Sequence, residues 1–329
     1  MSELLRRTRE LREQQEKQQL APAATLAAES RGRERPEAPD EYRTSFERDR
    51  DRILHSKAFR RLKHKTQVFI NPEGDHFVTR LTHTIQVTQI GRALAAALGL
   101  NEALTEAICL GHDVGHSPFG HTGETALSPY VNGEWRHSEQ SVRVLRVLEP
   151  LNLTREVLDG IRAHTWRVEP PPETPEGYLC RFADRIAYLT HDVDDALRAG
   201  VLTAPDLPRP ALRAFGRPGR EWISSMIEAV IDESLRRGRV AMQPELLEVM
   251  HDLRRFMFAN VYERPEAHTQ QRRAVVVIQA LVEHFLQHPD AIPATYRHEE
   301  APVVIQAIDY VSGMTDRYAL RIHATLVEP

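Results

Sequence analysis

Cysteine is nearly missing from this chain, with only Cys109 and Cys180 in 329 residues. A disulfide framework needs more, so both are expected to be small buried hydrophobes in a reducing compartment. Long apolar runs are missing too: no stretch approaches the roughly 18 residues of a membrane span. Residues 1–20 are charged and glutamine-rich without an apolar h-region, so a secretory signal is not expected and a cytoplasmic location is. Neither sign of charge dominates. The 43 Lys and Arg nearly balance the 47 Asp and Glu, so no global basic field points to nucleic acid. Strand signals are almost absent, and no internal repeat stands out. The exception is Val68-Phe69-Ile70 before an Asn71-Pro72-Glu73-Gly74-Asp75 turn, which predicts a small hairpin over 67–78.

What remains is helical. Hydrophobic content of 41% with 27% charged residues suits a globular protein with a sizeable core. Ser45 is placed to cap a helix running to about Lys65. One face of it is apolar. The other carries Arg48, Arg50, Arg52, Lys57, Arg60, Arg61, Lys63 and Lys65. Further helices are predicted over 79–98, 101–110, 137–148, 154–164, 178–198, 220–237, 245–262, 269–288, 302–312 and 315–326, between Gly and Pro breaks. The fold class is all-α. Residues 1–41 read as a flexible N-terminal extension, 42–200 as a catalytic core, and 201–329 as a helical part packed on that core in a single unit.

One stretch stands apart. Gly111 to Glu124 holds three histidines, an aspartate and a glutamate in fourteen residues, with four glycines and Pro118 among them. It reads as the end of a helix that turns sharply and presents imidazoles and carboxylates to one cavity. His112-Asp113 alone is a weak metal signal. It gains weight from His83, on the polar side of an otherwise apolar helix, and from Asp184 in the apolar helix that follows. Buried imidazoles and carboxylates need partners. Two nitrogens and two oxygens suit Mn, Fe, Ni or Mg better than a closed structural zinc. His121 and Glu124 stand at i, i+3 and would touch if a helix resumed at Gly120, giving an imidazole oriented by a carboxylate, as a general acid or base requires. Asp184, Tyr188 and Asp192 recur every four residues on one helix face, which suggests a ligand lying along it. Arg80, one turn before His83, can bring a guanidinium to the same cavity.

The ordered blocks resemble those of the HD-domain phosphohydrolases, and more specifically the deoxynucleoside triphosphate triphosphohydrolases of the dGTPase type. They are Arg48-Asp49-Arg50-Asp51-Arg52-Ile53, His55-Ser56-Lys57-Ala58-Phe59-Arg60-Arg61-Leu62, Thr79-Arg80-Leu81-Thr82-His83-Thr84, Gly111 to Glu124, His137-Ser138-Glu139-Gln140-Ser141, Phe182-Ala183-Asp184-Arg185-Ile186-Ala187-Tyr188 and His191-Asp192-Val193-Asp194-Asp195. Asp309-Tyr310-Val311 and Gly313-Met314-Thr315-Asp316 add a weaker match. Ser138 departs from the family pattern, where asparagine is frequent.

The resemblance implies an HD-domain helical fold and hydrolysis of a dNTP to deoxynucleoside and inorganic tripolyphosphate. It implies a divalent metal (Mg, Mn, Fe, Co or Ni) on His83, His112, Asp113 and Asp184. His121 would be the catalytic histidine, assisted by Glu124, with His116 beside the phosphates and His137 a further active-site histidine. Arg80 would bind phosphate, Tyr188 would pack on the deoxyribose, Asp192 would take its 3′-hydroxyl, and Gln67 would line the sugar pocket. Tyr188 against the sugar leaves no room for a 2′-hydroxyl. Homo-oligomers with dNTP activators at subunit interfaces are also implied. Base preference, and the choice among Lys57, Arg60, Arg61, Lys63 and Lys65 for phosphate contact, stay open, as does His164. The alternatives are another HD hydrolase, acting on nucleoside monophosphates, cyclic nucleotides or guanosine tetraphosphate, and an HD-scaffold regulator binding single-stranded DNA through the basic face of 48–65.

Overall fold

The helices form where apolar period and capping chemistry agree. The computed structural model describes residues 5–67, 78–298 and 300–327, with 265–267 and 327 as backbone alone. Among these the chain forms fifteen α-helices joined by short 3-10 and π-helical turns, and no strand. The fold class is all-α, as expected. Residues 68–77 of the expected hairpin lie outside the described residues; at its edges Thr66 and Thr79 pair as an isolated bridge.

α1 spans Arg9–Gln19. The segment after it, expected to be a flexible linker, is tied to the helices instead. Asp49 is fully buried and pairs with Arg33, and Glu156 accepts from Ser30 and Arg31. Glu176 accepts from Thr25. The residues that look solvated by composition are spent on buried partners, which composition cannot reveal.

α2 (Ser45–His55) is capped by Thr44 in a reciprocal box with Glu47, not by Ser45. It does not run on to Lys65. Ser56 ends it and caps the short α3 (Lys57–Arg61). The N-terminal part of the expected basic face is paired: Arg48 and Arg52 meet Glu37, and Arg50 meets Asp51 and Glu106.

α4 (Arg80–Leu98) starts at the Thr79 cap and ends at Gly99, whose φ of 65° is the left-handed form glycine adopts freely. Asn101 caps α5 (Glu102–Gly111). α6 (His121–Leu127) and α7 (His137–Arg143) follow, the latter running into a π-helical turn at Val144–Leu148. Then come α8 (Arg155–Arg162) and α9 (Pro175–Arg198), which the Thr174 cap starts ahead of the expected Tyr178. The last six are α10 (Arg209–Phe215), α11 (Arg220–Arg237), α12 (Pro244–Met257), α13 (Pro265–Gln287), α14 (Val303–Ser312) and α15 (Asp316–Val327). α10, which no apolar period announced, is one short helix behind Pro208. A π-helical turn at Phe258–Tyr262 extends α12. Among the described residues no helix is long and apolar enough to cross a membrane.

The buried apolar side chains form two clusters. The larger holds Phe46, Ile53, Val87, Ile90, Leu104, Ile108, Val114, Ala183 and Ile186, among others. Fully buried Phe46, Ile53 and Leu104 each contribute roughly 1.5–3 kcal/mol. The smaller joins Phe119, Ala126, Leu127 and Trp135 to Val277, Leu281, Ile308 and Val311 from the C-terminal helices. The boundary between the clusters falls between Val114 and Phe119, inside the histidine-rich stretch.

Candidate active site

α4, α5 and α9 pack side by side and bring three sets of polar groups to one place. His83 on α4 lies with its Nε2 3.2 Å from Asp184 Oδ1 on α9. His112, just past α5, donates from Nδ1 to the Cys109 carbonyl at 2.6 Å. That bond fixes the tautomer and leaves Nε2 with a free lone pair. Nε2 is buried without a hydrogen-bond partner, 3.9 Å from Asp184 Oδ1 and 3.6 Å from Asp113 Oδ2. Ligand atoms of His83, His112 and Asp184 lie within 4.8 Å of one another.

An orphaned buried imidazole nitrogen facing two carboxylates and a second imidazole is the donor set of a cation. The residues therefore fit a divalent metal. Asp113 is the member held least firmly to that set. Its Oδ2 accepts from Arg80 Nη1 at 2.7 Å, and its Oδ1 lies 3.6 Å from His137 Nε2. Burial would raise the Asp113 carboxyl, but His112 and Arg80 hold it well below the usual carboxylate range. Asp184 is likewise lowered, with burial overridden by His83 and His112.

The backbone turns sharply after Asp113. A Cβ on Gly115 would meet Ser141 N at 2.2 Å, so α7 can approach only a glycine here. Ser141 Oγ then donates to the His112 carbonyl and accepts from Gly115 N. Phe119 and Gly120 both adopt positive φ, 60° and 61°, and the chain re-enters a helix at His121. The conditional contact expected there is made: Glu124 Oε2 stands 2.7 Å from His121 Nδ1. His121 is 71% exposed, whereas His83, His112, Asp113, His116 and His164 are buried and Glu124, His137 and Asp184 are partly buried.

Glu124 does more than expected. Its Oε1 takes the backbone N–H of His137 at 2.9 Å and faces that ring's Nδ1 at 2.6 Å. His137 Nε2 in turn lies 3.1 Å from His164 Nε2, whose other nitrogen donates to the Ile161 carbonyl at 2.7 Å. With its proton on Nδ1, neutral His164 can only accept at Nε2, so His137 donates from both nitrogens and is an imidazolium. The electrostatics agree. Burial opposes charge on His137, but Glu124 raises its pKa, while burial beside His112 and His137 pushes His164 down to about 3. His116 is buried and stacked on His137, with ring centroids 4.4 Å apart. Burial and Arg80 keep it neutral, and its Nδ1 has no partner.

The residues expected along the sugar are brought near in part. Tyr188 is half-buried on α9, and Asp192, one turn on, is buried. Burial pushes Asp192 up to about 7. Its Oδ2 accepts from the Tyr262 hydroxyl, while Oδ1 is buried without a partner. Gln67 presents an unpartnered buried Oε1, and its backbone carbonyl lies 3.5 Å from where a Gly120 Cβ would be. Lys65 drops out of the phosphate candidates: it is buried, and its Nζ donates to the His116 and Ser312 carbonyls.

Residues 80–189 match the HD domain family, and residues 240–325 match the phosphohydrolase-associated domain. A "deoxyguanosinetriphosphate triphosphohydrolase-like protein" of Caldanaerobacter subterraneus is 48% identical over 95% of this chain and 94% of its own length. The chain belongs to this HD-domain family. Proteins of the same description from Desulfatibacillum aliphaticivorans and Clostridium perfringens are 42% and 44% identical, over 98% and 92% of this chain and 98% and 92% of theirs. A crystal structure of a hypothetical protein from Aquifex aeolicus aligns with 85% of this chain and 71% of its own at 21% identity and a TM-score of 0.46, too distant to argue from.

Two members of the site escaped the sequence reading. A histidine in an Ala-His-Thr turn carries no period, so the sequence leaves His164 open. An aromatic at the end of an apolar helix looks like core, so the sequence does not mark Tyr262. It meets Asp192 across 70 residues of chain, and no local pattern marks that encounter.

Proposed function

We propose that this phosphohydrolase cleaves dNTPs, dGTP among them, to deoxynucleoside and inorganic tripolyphosphate. The observation that carries the reading is the conjunction of the orphaned His112 Nε2 among His83, Asp113 and Asp184 with the adjoining His121–Glu124–His137 group. The names of the relatives support the substrate class.

His83, His112, Asp113 and Asp184 would hold the metal. When bound, a divalent cation there supplies polarisation of a phosphate and of water. Arg80, ion-paired with Asp113, offers its remaining guanidinium donors to phosphate oxygens. His137 adds a second fixed positive charge beside that position, with His116 stacked against it. His121 is the exposed imidazole, and Glu124 orients it. It protonates the 5′-oxygen as the bond from that oxygen to the α-phosphorus breaks and water bonds to phosphorus, giving up a proton to solvent. Tyr188, Gln67 and Asp192 would face the deoxyribose, with Asp192 on the 3′-hydroxyl.

We further propose residues 42–200 as the catalytic core, with 201–329 packed on it in one unit that assembles into homo-oligomers. The second apolar cluster, shared by α6 and α13–α15, supports the packing. The test of the activity is direct. Purified protein is given each dNTP, alone and in mixtures, with Mg²⁺, Mn²⁺ or Co²⁺, and the products are separated by chromatography. Tripolyphosphate is expected. Monophosphate or pyrophosphate would place the protein among other HD hydrolases.

A further inference from the structure

The two jobs of the histidine-rich stretch rest on different apolar clusters. The metal-facing residues lie on α4, just past α5 and on α9, where Val87, Ile108, Val114 and Ala183 belong to the larger cluster. α6, which carries His121 and Glu124, turns Ala126 and Leu127 into the smaller cluster, beside Phe119 of the turn before it, and packs on α13. The link between them is the glycine-rich turn at 115–120. A turn of that kind does not by itself hold an imidazole in register with a site on the other cluster.

The register is set by polar contacts from one corner of the C-terminal helices. Asp316, the first residue of α15, accepts from Phe119 N at 3.1 Å with one oxygen and from Thr66 N at 3.0 Å with the other. Phe119 is the non-glycine residue at φ 60°, a conformation that costs energy unless the surroundings hold it. Lys65 sends its buried Nζ to the His116 and Ser312 carbonyls, bridging the catalytic turn and the end of α14. Asp309 on α14 takes Arg143 in a bidentate pair and Gln140 Nε2 at 2.9 Å. Both donors are on α7, the helix that begins with His137. Contacts at this corner thus reach the backbone of the turn just before His121, at His116 and Phe119, and the helix that begins with His137.

We infer that the α14–α15 corner is a positioning element of the active site, acting through Asp316 and Lys65 on the turn that delivers His121. The inference rests on the reading of His121 as proton donor. Asp316 bonds to the backbone of the turn just before α6 and to none of His83, His112, Asp113 and Asp184.

The experiment compares full-length metal-loaded wild type with Asp316→Asn and Lys65→Met. The asparagine can accept at one of its two positions only, and the methionine keeps volume without donors. Each is assayed for dGTP turnover and metal content, and by hydrogen exchange of peptides covering α6. Displacement of a reacting group by about 1 Å costs on the order of 10²-fold in rate, so kcat is expected to fall by that order with KM and bound metal unchanged. Exchange in α6 is expected to rise. An unchanged kcat would overturn the inference, as would a joint loss of kcat, substrate affinity and metal, which marks general unfolding. If wild type turns over no dNTP, the proposed activity fails by itself. The exchange data then decide alone, and unchanged protection of α6 in both variants sinks the inference. Should Asp316→Asn prove insoluble, Lys65→Met reads the same corner through its other contact.

Discussion

Glu124 holds His137 twice, through its backbone N–H at 2.9 Å and its ring Nδ1 at 2.6 Å, both on one carboxylate oxygen. The other oxygen is left for His121. Two imidazoles therefore depend on a single side chain. His137 is the partly buried member, and His121 the exposed one.

Glu124→Gln keeps the shape and removes the charge, and an amide cannot accept from both rings. kcat is expected to fall by about 10²–10⁴-fold, the range of general acid–base catalysis, with nucleotide binding retained. His121→Ala should do the same. Calorimetric titration of dGTP alongside steady-state kinetics checks both. Equal losses of binding and turnover would show that His121 serves binding or folding.

Asp184→Ala removes the oxygen that stands nearest to His83 Nε2 and also faces His112 Nε2. Bound metal is expected to disappear from the purified protein, and activity with it. Elemental analysis measures this, and an unchanged metal content removes Asp184 from the ligand set. Chelator treatment of wild type should abolish turnover, and added Mn²⁺ should restore it.

Arg33 is the cation of a buried pair with Asp49, which also takes Thr154 N and Oγ1. Arg33→Ala leaves that carboxylate buried with hydroxyl and amide donors alone. A destabilisation of about 3–5 kcal/mol is expected from breaking such a pair. Urea denaturation gives the value, and limited proteolysis should find new cleavage within 20–41. A change below about 0.5 kcal/mol, the usual scale for surface substitutions, would mean the N-terminal segment is not anchored through this pair.

Asp192 is pushed up to about 7, chiefly by burial and also by Asp195, against the lowering by Tyr262, His83 and Arg80. The folded pKa lies above the ordinary carboxylate value, so the protonated form is the one the fold prefers. Stability from this group is full below about pH 4, falls as pH rises to 7, and levels off above. Asp192→Asn cannot ionise. Its stability relative to wild type should therefore grow between pH 4 and 7 by a few kcal/mol at most and then stay constant. Urea melts across that range measure the difference; a gap independent of pH would mean that Asp192 is not held in its neutral form.

The helices were legible because their signals are local. Apolar period, the Thr79 and Asn101 positions and the glycine at 99 need only neighbouring residues to be read. α10 and the break at Ser56 were not, since the period there is short or continues through the break. The site residues were legible as chemical types in an ordered set, and the structure brings His83, His112 and Asp184 within reach of one another.

The sequence by itself determined that the protein is all-α, that imidazoles and carboxylates crowd Gly111 to Glu124, and which family those blocks resemble. Only the tertiary structure decided that Glu124 is shared by two histidines, that Tyr262 reaches Asp192, that residues 21–41 are docked, and that Asp316 of α15 bonds to Phe119 in the turn before His121. The reason is physical. Helix period and caps are set by residues a few positions apart, whereas buried charges and orphaned donors find partners through packing, at separations no sequence pattern records.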